Sequence, residues 1–186
     1  MMEGQLSELP YGIMNKSEVV KNIIDGKIVA FFQGDSEWGP RALGNRSILF
    51  DPRNPNAKDI VNKVKKREWY RPFAGTILLE HANDYFDMVT IKETPYMSYA
   101  IPAKQKAKDE VPGIIHVDGT CRIQTVTREQ NKHYYDLIEE FYKQTGVPIL
   151  FNTSFNLAGE PLVETLEDAM DTVKRSAIDL LVYVGH

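Results

Sequence analysis

The segment spanning residues 33–75 constrains the fold of this chain more than any other. Between residues 41 and 71 it holds nine Lys and Arg residues against three Asp and Glu, a net charge of +6, whereas the rest of the chain has a net charge of −10. Gly, Pro and apolar residues separate its arginines. Gly lets backbone N–H groups approach an oxyanion, and Arg binds one through two parallel hydrogen bonds. The segment therefore predicts a folded anion-binding site, with a solvated cationic surface as the alternative.

The composition narrows the class of protein. The chain has 186 residues, of which 42% are hydrophobic and 26% charged, so we expect one globular domain over residues 1–186, with residues 1–16 a candidate N-terminal extension. No apolar run approaches the ~18 residues of a membrane span, and the first residues lack the layout of a signal peptide. The single cysteine, Cys121, excludes an internal disulfide and agrees with a reducing compartment. We therefore expect a cytoplasmic protein that does not bind membranes.

Strand-like and helix-like segments alternate along the chain, which predicts a single α/β domain with a mixed sheet. Ser17 is the expected N-cap of the first helix, and Thr165 with Asp168 forms a capping-box pattern for the last one. The polar segment 104–110 is interpreted as a mobile surface loop or a lid. Strands are predicted at 28–32, 47–50, 73–79, 96–101, 120–126 after the turn at Asp118 and Gly119, 148–151 and 179–184. Helices are predicted at 17–25, 56–64, 81–86, 131–145 and 165–174.

Candidate anion ligands recur in four clusters at predicted strand ends. Loops that leave the sheet of an open α/β fold commonly build its binding site, so these clusters are expected to share one. Neither a Walker loop nor a dinucleotide-binding glycine motif occurs. Phosphoryl and nucleotidyl transfer need cations around the developing charge more than they need a protein nucleophile, so the pattern predicts a polyphosphate site. The clusters are Arg41 with Arg46; Lys65, Arg67 and Arg71; Arg122; and the 152–156 turn with Asn152 and Ser154.

Other chemistries find weaker support in the sequence. Ser154 lacks the surroundings of a nucleophile elbow, so its hydroxyl is better explained as a phosphate ligand. His116 next to Asp118 is an alternative base or metal site, although scattered histidines more often have structural roles. Asp118 and Glu160 are candidate Mg²⁺ contacts made through phosphates. Cys121 is expected to pack rather than react.

Four ordered motifs resemble the C-terminal domain of the O-carbamoyltransferases of antibiotic and nodulation-factor synthesis. They are EWGPRALGNRSIL at 37–49, KKREWYRPFA at 65–74, DGTCRIQTV at 118–126, and NTSFN at 152–156 with GEP at 159–161. The similarity covers nearly the whole chain from about Lys27. It implies a YrdC-like α/β fold with a mixed, twisted sheet and flanking helices. It also implies that the domain binds ATP, with Mg²⁺, and carbamoyl phosphate, and forms carbamoyl adenylate with release of pyrophosphate.

The resemblance also assigns residues and a partner. By motif match, Lys65, Arg71 and Arg122 are the implied catalytic residues, and together with Ser154 they contact the nucleotide and the carbamoyl phosphate. Supporting ligands are Arg41, Arg46, Arg67 and Asn152, and no metal ligand is assigned in this chain. Full family members carry a larger N-terminal domain with a histidine and aspartate metal site, which passes the carbamoyl group to a hydroxyl. Nothing here corresponds to that domain, so we expect it as a partner in cis or in trans.

Two alternatives follow from the same segment. Trp38, Trp69 and Tyr70 either stack on a base or pack in the interior. If they stack, the chain is interpreted as a non-catalytic RNA-binding module that uses Trp69 and Tyr70 as platforms. The net charge of −4 makes a nucleic-acid partner the weaker expectation. The other alternative is a partner-binding subunit that completes another chain.

Overall fold

The structure is a computed structural model that describes residues 15–37, 39 and 41–185. The proposed extension at 1–16 therefore lies almost entirely outside the described residues, as does the stacking role suggested for Trp38. The described part forms one seven-stranded sheet with flanking helices. No helix in residues 15–185 combines the length and the apolar character that crossing a bilayer requires.

The sheet mixes parallel and antiparallel pairs, as the alternating pattern predicts. Its strand order is β4-β5-β3-β6-β2-β1-β7. Strands β3 and β5 pair in parallel, as do β1 and β7, and the other four pairs are antiparallel. The strands are β1 Val29–Gln33, β2 Arg46–Phe50, β3 Ala74–Leu78, β4 Ala100–Pro102, β5 Thr120–Val126, β6 Ile149–Ser154 and β7 Leu180–Val184.

The helices begin and end at local signals. Thr165 and Asp168 make the predicted reciprocal capping box at the start of α6. Gly146 ends α5 with φ 76°, a left-handed conformation that Gly adopts without steric cost. The helices are α1 Lys16–Ile24, α2 Ala57–Lys65, α3 Ala82–Tyr85, α4 Gln105–Glu110, α5 Lys132–Thr145 and α6 Leu166–Lys174, with short 3₁₀ turns at Leu79–His81 and Pro112–Ile114.

Three expectations about secondary structure are wrong. Ser17 lies inside α1, whose N-cap is Asn15, because the Asn15 side chain accepts the Glu18 N–H at 3.3 Å. Segment 104–110 is mainly the helix α4, since Ala107 is fully buried and gives this polar segment one face against the core. The strand expected at 96–101 is confined to Ala100–Pro102.

The register of the central strands positions the candidate site. Ala74 of β3 pairs with Arg122 of β5 on one side and with Asn152 of β6 on the other. Ser154, near the end of β6, pairs with Ser47 of β2. Directly paired residues point to the same face of a sheet, and residues two apart on a strand do so as well. Arg122, Asn152 and Ser154 therefore share one face of the sheet near the same end of its central strands.

Candidate functional site

A cavity of about 400 Å³ lies where the end of α2 meets the turn after β6. Basic side chains dominate its α2 side, and hydroxyl, amide and backbone groups form the β6 side. Lys65 joins the two, because its carbonyl oxygen accepts the Ala158 N–H at 2.9 Å. The cavity is lined by Lys65, Lys66, Arg67, Glu68, Arg71, Ser154, Asn156, Leu157, Ala158 and Gly159.

Lys65 is the central cation of this cavity. Only 2% of its surface is exposed. Its Nζ donates to the Ser154 carbonyl oxygen, to Ser154 Oγ at 3.1 Å and to Asn156 Oδ1 at 3.0 Å. Ser154 Oγ in turn donates to Asn156 Oδ1 at 2.7 Å. The ammonium group and the turn after β6 therefore fix each other's position.

Burial sets the protonation of Lys65. Desolvation lowers its pKa to about 7, and the nearby positive charge of Arg67 acts in the same direction. At neutral pH its ammonium form, which makes the three hydrogen bonds described above, is therefore much less favoured than that of an exposed lysine. An anion bound beside Nζ would favour the charged form and raise this pKa.

Two arginines extend the cationic wall. Arg67 Nε donates to Asn62 Oδ1 at 2.6 Å, and its guanidinium carbon lies 4.1 Å from the Phe73 ring centroid. Burial, followed by the charge of Arg71, lowers the pKa of Arg67 to about 10, so it stays protonated at neutral pH. Arg71 is more exposed and pairs with Glu68 at 2.8 Å. A polyphosphate would find two permanent cations here beside one that titrates.

Arg46 lies outside this cavity and binds other groups. It is 3% exposed, and its guanidinium carbon lies 3.5 Å from the Phe32 ring centroid. Burial lowers its pKa, an effect that the negative charge of Glu37 partly opposes. Its terminal nitrogens donate to four backbone carbonyls, which explains why this arginine ties strands to loops rather than facing the cavity. The four acceptors are Gln33, Asn45, Gly34 and Glu164.

Arg41, Arg122 and Asn152 form a second group at the same end of the central strands. Arg41 is exposed, and partial desolvation of its guanidinium, followed by the positive charge of Arg122, lowers its pKa. These two cations are therefore neighbours. Asn152 is buried below the loop that carries Arg41, and its Nδ2 donates to the Ala42 carbonyl at 3.0 Å. Of the predicted site residues, Lys65, Arg67, Arg71 and Ser154 therefore line the cavity, whereas Arg41, Arg46, Arg122 and Asn152 do not.

The sequence pattern did not single out the residues that hold the Arg41 loop. Glu37 Oε1 accepts the N–H groups of Leu43 at 2.8 Å and Asn45 at 2.7 Å. Gln124 Nε2 donates to the Leu43 carbonyl at 3.0 Å. The only feature of the sequence that could have identified Glu37 and Gln124 is that both lie within the motifs at 37–49 and 118–126. Asn156 belongs to the predicted 152–156 cluster, and in the structure its Oδ1 accepts from Lys65.

The carboxylates considered for Mg²⁺ are occupied elsewhere. Asp118 Oδ1 accepts from Thr120 Oγ1 at 2.7 Å, and Glu160 pairs with Arg175 at 2.7 Å. Glu68, the acidic residue that lines the cavity, is paired with Arg71. In the part of the chain that the structure describes, no three His, Cys, Asp or Glu side chains group as metal ligands. The cavity walls therefore do not fit a protein-held Mg²⁺.

The remaining candidates have clear positions. His116 Nε2 lies 3.0 Å from the Phe73 carbonyl oxygen, a structural contact. Cys121 is buried, and desolvation raises the pKa of its thiol, so it packs as expected. Trp69 and Tyr70 are 72% and 62% exposed, so neither packs in the interior. Tyr70 borders a second cavity, of about 280 Å³.

The described residues form a mixed α/β sheet with a cavity lined by basic side chains at the end of β6, and comparison with known proteins gives the family. The family model of the carbamoyltransferase C-terminus matches residues 20–186, so the chain belongs to this family. It is 47% identical over 168 residues to nodulation protein NolNO of Sinorhizobium fredii and 46% identical over 160 residues to NolO of Bradyrhizobium diazoefficiens. These alignments cover 89% and 85% of the chain but 25% and 29% of those proteins. The chain thus spans under a third of these relatives.

Solved structures confirm the YrdC-like fold. The chain is similar to full-length HypF in its phosphate- and nucleotide-bound form, with a TM-score of 0.65 and 22% identity over 91% of this chain and 25% of that one. It is also similar to Sua5 of P. abyssi in complex with L-threonine, with a TM-score of 0.61 and 13% identity over 91% of this chain and 46% of that one. At these identities the likeness is one of fold.

Proposed function

We propose that this domain binds ATP and carbamoyl phosphate in the cavity at the end of β6 and forms carbamoyl adenylate. The observation that carries the proposal is that Lys65, Arg67, Arg71 and Ser154 line one cavity. Family membership supports the carbamoyl part, and the fold shared with a protein that binds phosphate and nucleotide supports the ATP part. The implied catalytic residues are Lys65, Arg71 and Arg122.

The charge of the cavity suits a polyphosphate. A triphosphate carries several negative charges, and Arg71 presents its guanidinium at the more exposed side, where phosphates would enter. Arg67, held against Phe73, provides a second fixed cation. Positioned cations stabilise the charge that develops when a phosphate bond breaks, and they do so without reorganising. Lys65 would gain its proton as the phosphates arrive.

The proposed reaction has two steps. Water first cleaves carbamoyl phosphate to carbamate and inorganic phosphate. A carbamate oxygen then attacks the α-phosphorus of ATP, the bond from that phosphorus to the bridging oxygen breaks, and pyrophosphate leaves. Neither step needs a protein nucleophile, which agrees with a site built from cations and hydrogen-bond donors. Because the walls fit no protein-held metal ion, no step is assigned to one, and Mg²⁺ would come bound to ATP.

Transfer of the carbamoyl group to a hydroxyl is proposed to need another domain. The curated relatives are three to four times longer than the region this chain matches, and their remaining length would supply that step. The acceptor would then contact mainly the other domain, in cis or in trans. The chain has a single cysteine, Cys121, which is consistent with a reducing compartment and so with a cytoplasmic location.

The test is pyrophosphate release by the full chain. With ATP and carbamoyl phosphate together we expect pyrophosphate and inorganic phosphate, and with ATP alone no pyrophosphate above background. Calorimetry should detect ATP binding in the same preparation. Absence of both ATP binding and pyrophosphate formation would overturn the proposal. Pyrophosphate formation that does not depend on carbamoyl phosphate would overturn the carbamoyl assignment.

An RNA-binding module remains the second candidate because Trp69 and Tyr70 are exposed beside Arg71. Two cations of the basic segment, Arg46 and Lys65, are buried, so the surface offers less positive charge than the sequence indicates. RNA binding with a steep dependence on salt, and no ATP binding, would favour this candidate.

A further inference from the structure

The side-chain amide of Asn152 is held firmly at one end and unpaired at the other. Its Nδ2 donates to the Ala42 carbonyl oxygen at 3.0 Å and to Thr76 Oγ1 at 3.1 Å. Its Oδ1 is buried and has no hydrogen-bond partner among the described residues. A buried polar atom without a partner costs about 1–3 kcal/mol, so such an atom calls for an explanation.

The orientation of this amide is fixed by chemistry. The Ala42 carbonyl can only accept, so the amide nitrogen must face it and the oxygen must face away. Thr76 Oγ1 donates its one proton to Gln124 Oε1 at 2.9 Å and also accepts the Tyr134 hydroxyl at 2.9 Å. Thr76 therefore acts as an acceptor toward Asn152 and fixes the same orientation. The unpaired atom is a true acceptor, not a misassigned nitrogen.

The position of Asn152 connects it to the proposed site. It lies in one row across the sheet with Ala74 and Arg122, and it shares a strand face with Ser154 of the cavity. Ala74, the middle residue of the row, is partly exposed although its neighbour Asn152 is buried. Only the methyl side chain of Ala74 therefore stands between Arg122 and Asn152 in this row. A small ligand that reaches Oδ1 must also shift the groups covering it.

The chemistry of the acceptor selects the ligand group. A carbamoyl group carries an amino group that donates hydrogen bonds, whereas an acetyl group of nearly the same size carries a methyl group that donates none. Resting on the proposed function, we propose that Asn152 Oδ1 accepts a hydrogen bond from the carbamoyl amino group. Asn152 is thereby the residue that selects carbamoyl phosphate over other acyl phosphates. Sites with a buried polar group strongly disfavour ligands that leave it unpaired.

The experiment compares carbamoyl phosphate with acetyl phosphate. Dissociation constants of both are measured by calorimetry on the full chain, with a non-hydrolysable ATP analogue present. We expect the wild type to bind carbamoyl phosphate at least tenfold more tightly. Equal affinities in the wild type overturn the inference and leave the proposed function standing. If neither acyl phosphate binds, the proposed function itself fails.

Two variants assign the preference to Oδ1. Asn152→Leu keeps the size of the side chain but removes its polar atoms, and the affinity ratio should fall to near one. Thr76→Val removes a hydroxyl that anchors the amide nitrogen but leaves Oδ1, so it should keep most of the preference. If both variants lose the preference equally, the buried network as a whole selects the ligand and the assignment to Asn152 is wrong. If Asn152→Leu does not fold, equal affinities in the wild type still overturn the inference.

Discussion

Replacing Lys65 by Met should remove a contribution to the protein's stability that depends strongly on pH. Burial lowers the pKa of Lys65 from 10.5 to about 7, so between these values the unfolded chain binds more protons than the folded one. Wild-type stability therefore rises with pH across this window. The cost of charging the buried amine is greatest below pH 7, where the folded state must keep the ammonium.

The magnitude follows from linkage. With one pKa unit worth about 1.4 kcal/mol, the lowered pKa of Lys65 destabilises the folded state by about 5 kcal/mol at pH 6, where the buried amine stays charged. At pH 9 the penalty is about 2 kcal/mol, because the folded state has released a proton that the unfolded chain still binds. The wild type should thus gain about 2–3 kcal/mol of unfolding free energy between these pH values relative to Lys65→Met. The variant also loses the hydrogen bonds to Ser154 and Asn156, but that loss lowers its stability by a similar amount at both pH values and does not affect the comparison between them.

The assay is urea unfolding followed by circular dichroism at pH 6, 7.5 and 9. Groups common to both proteins, such as the histidines, cancel in the difference between them. Lys63→Met is the matched control, because Lys63 lies on the same helix but is exposed. Its difference from the wild type should stay constant with pH. A constant difference for Lys65→Met as well would refute the reasoning that burial lowers this pKa.

Three further predictions concern the site and its supporting loop. At pH 8, ATP binding should take up close to one proton, because Lys65 is mostly neutral there and the phosphates raise its pKa. Calorimetry in two buffers of different ionisation enthalpy measures this proton uptake. A binding enthalpy that does not depend on the buffer would contradict the prediction. Arg71→Ala and Lys65→Ala should each weaken ATP binding by at least ~1.5 kcal/mol, about tenfold, whereas unchanged affinity in both would remove the site assignment. Gly44→Ala should lower the unfolding free energy by more than ~3 kcal/mol, because φ is +106° and the new Cβ would overlap the Tyr134 ring. Gly26→Ala is its control: φ is +82° but nothing lies within 4 Å, so a loss of only about 1 kcal/mol is expected from thermal or urea unfolding.

Local signals made several elements predictable. The capping box at Thr165 and the glycine after α5 act within one turn of a helix, so the sequence alone locates them. The segment 104–110 shows the limit, because the burial of Ala107 that makes it a helix depends on residues distant in sequence. The strand order was not predictable for the same reason, since pairing of β1 with β7 joins opposite ends of the described chain.

The candidate site was predictable in part. Interleaving of arginines with glycines indicated anion binding, and Lys65, Arg67 and Arg71 indeed meet Ser154 around one cavity. The same pattern could not separate Arg46 from them. One of the carbonyls that occupy Arg46 belongs to Glu164, 118 residues away, and contacts of that kind leave no trace in local spacing.

The double attachment of Lys65 to the turn after β6 has a consequence for how the cavity assembles. Its carbonyl binds Ala158 and its ammonium group binds Ser154 and Asn156, so one residue crosslinks two segments about ninety positions apart. Neither wall can loosen alone, because opening either one breaks the same set of bonds. The two walls should therefore melt together as a single cooperative unit, and the pocket should be either whole or absent in any partly unfolded form.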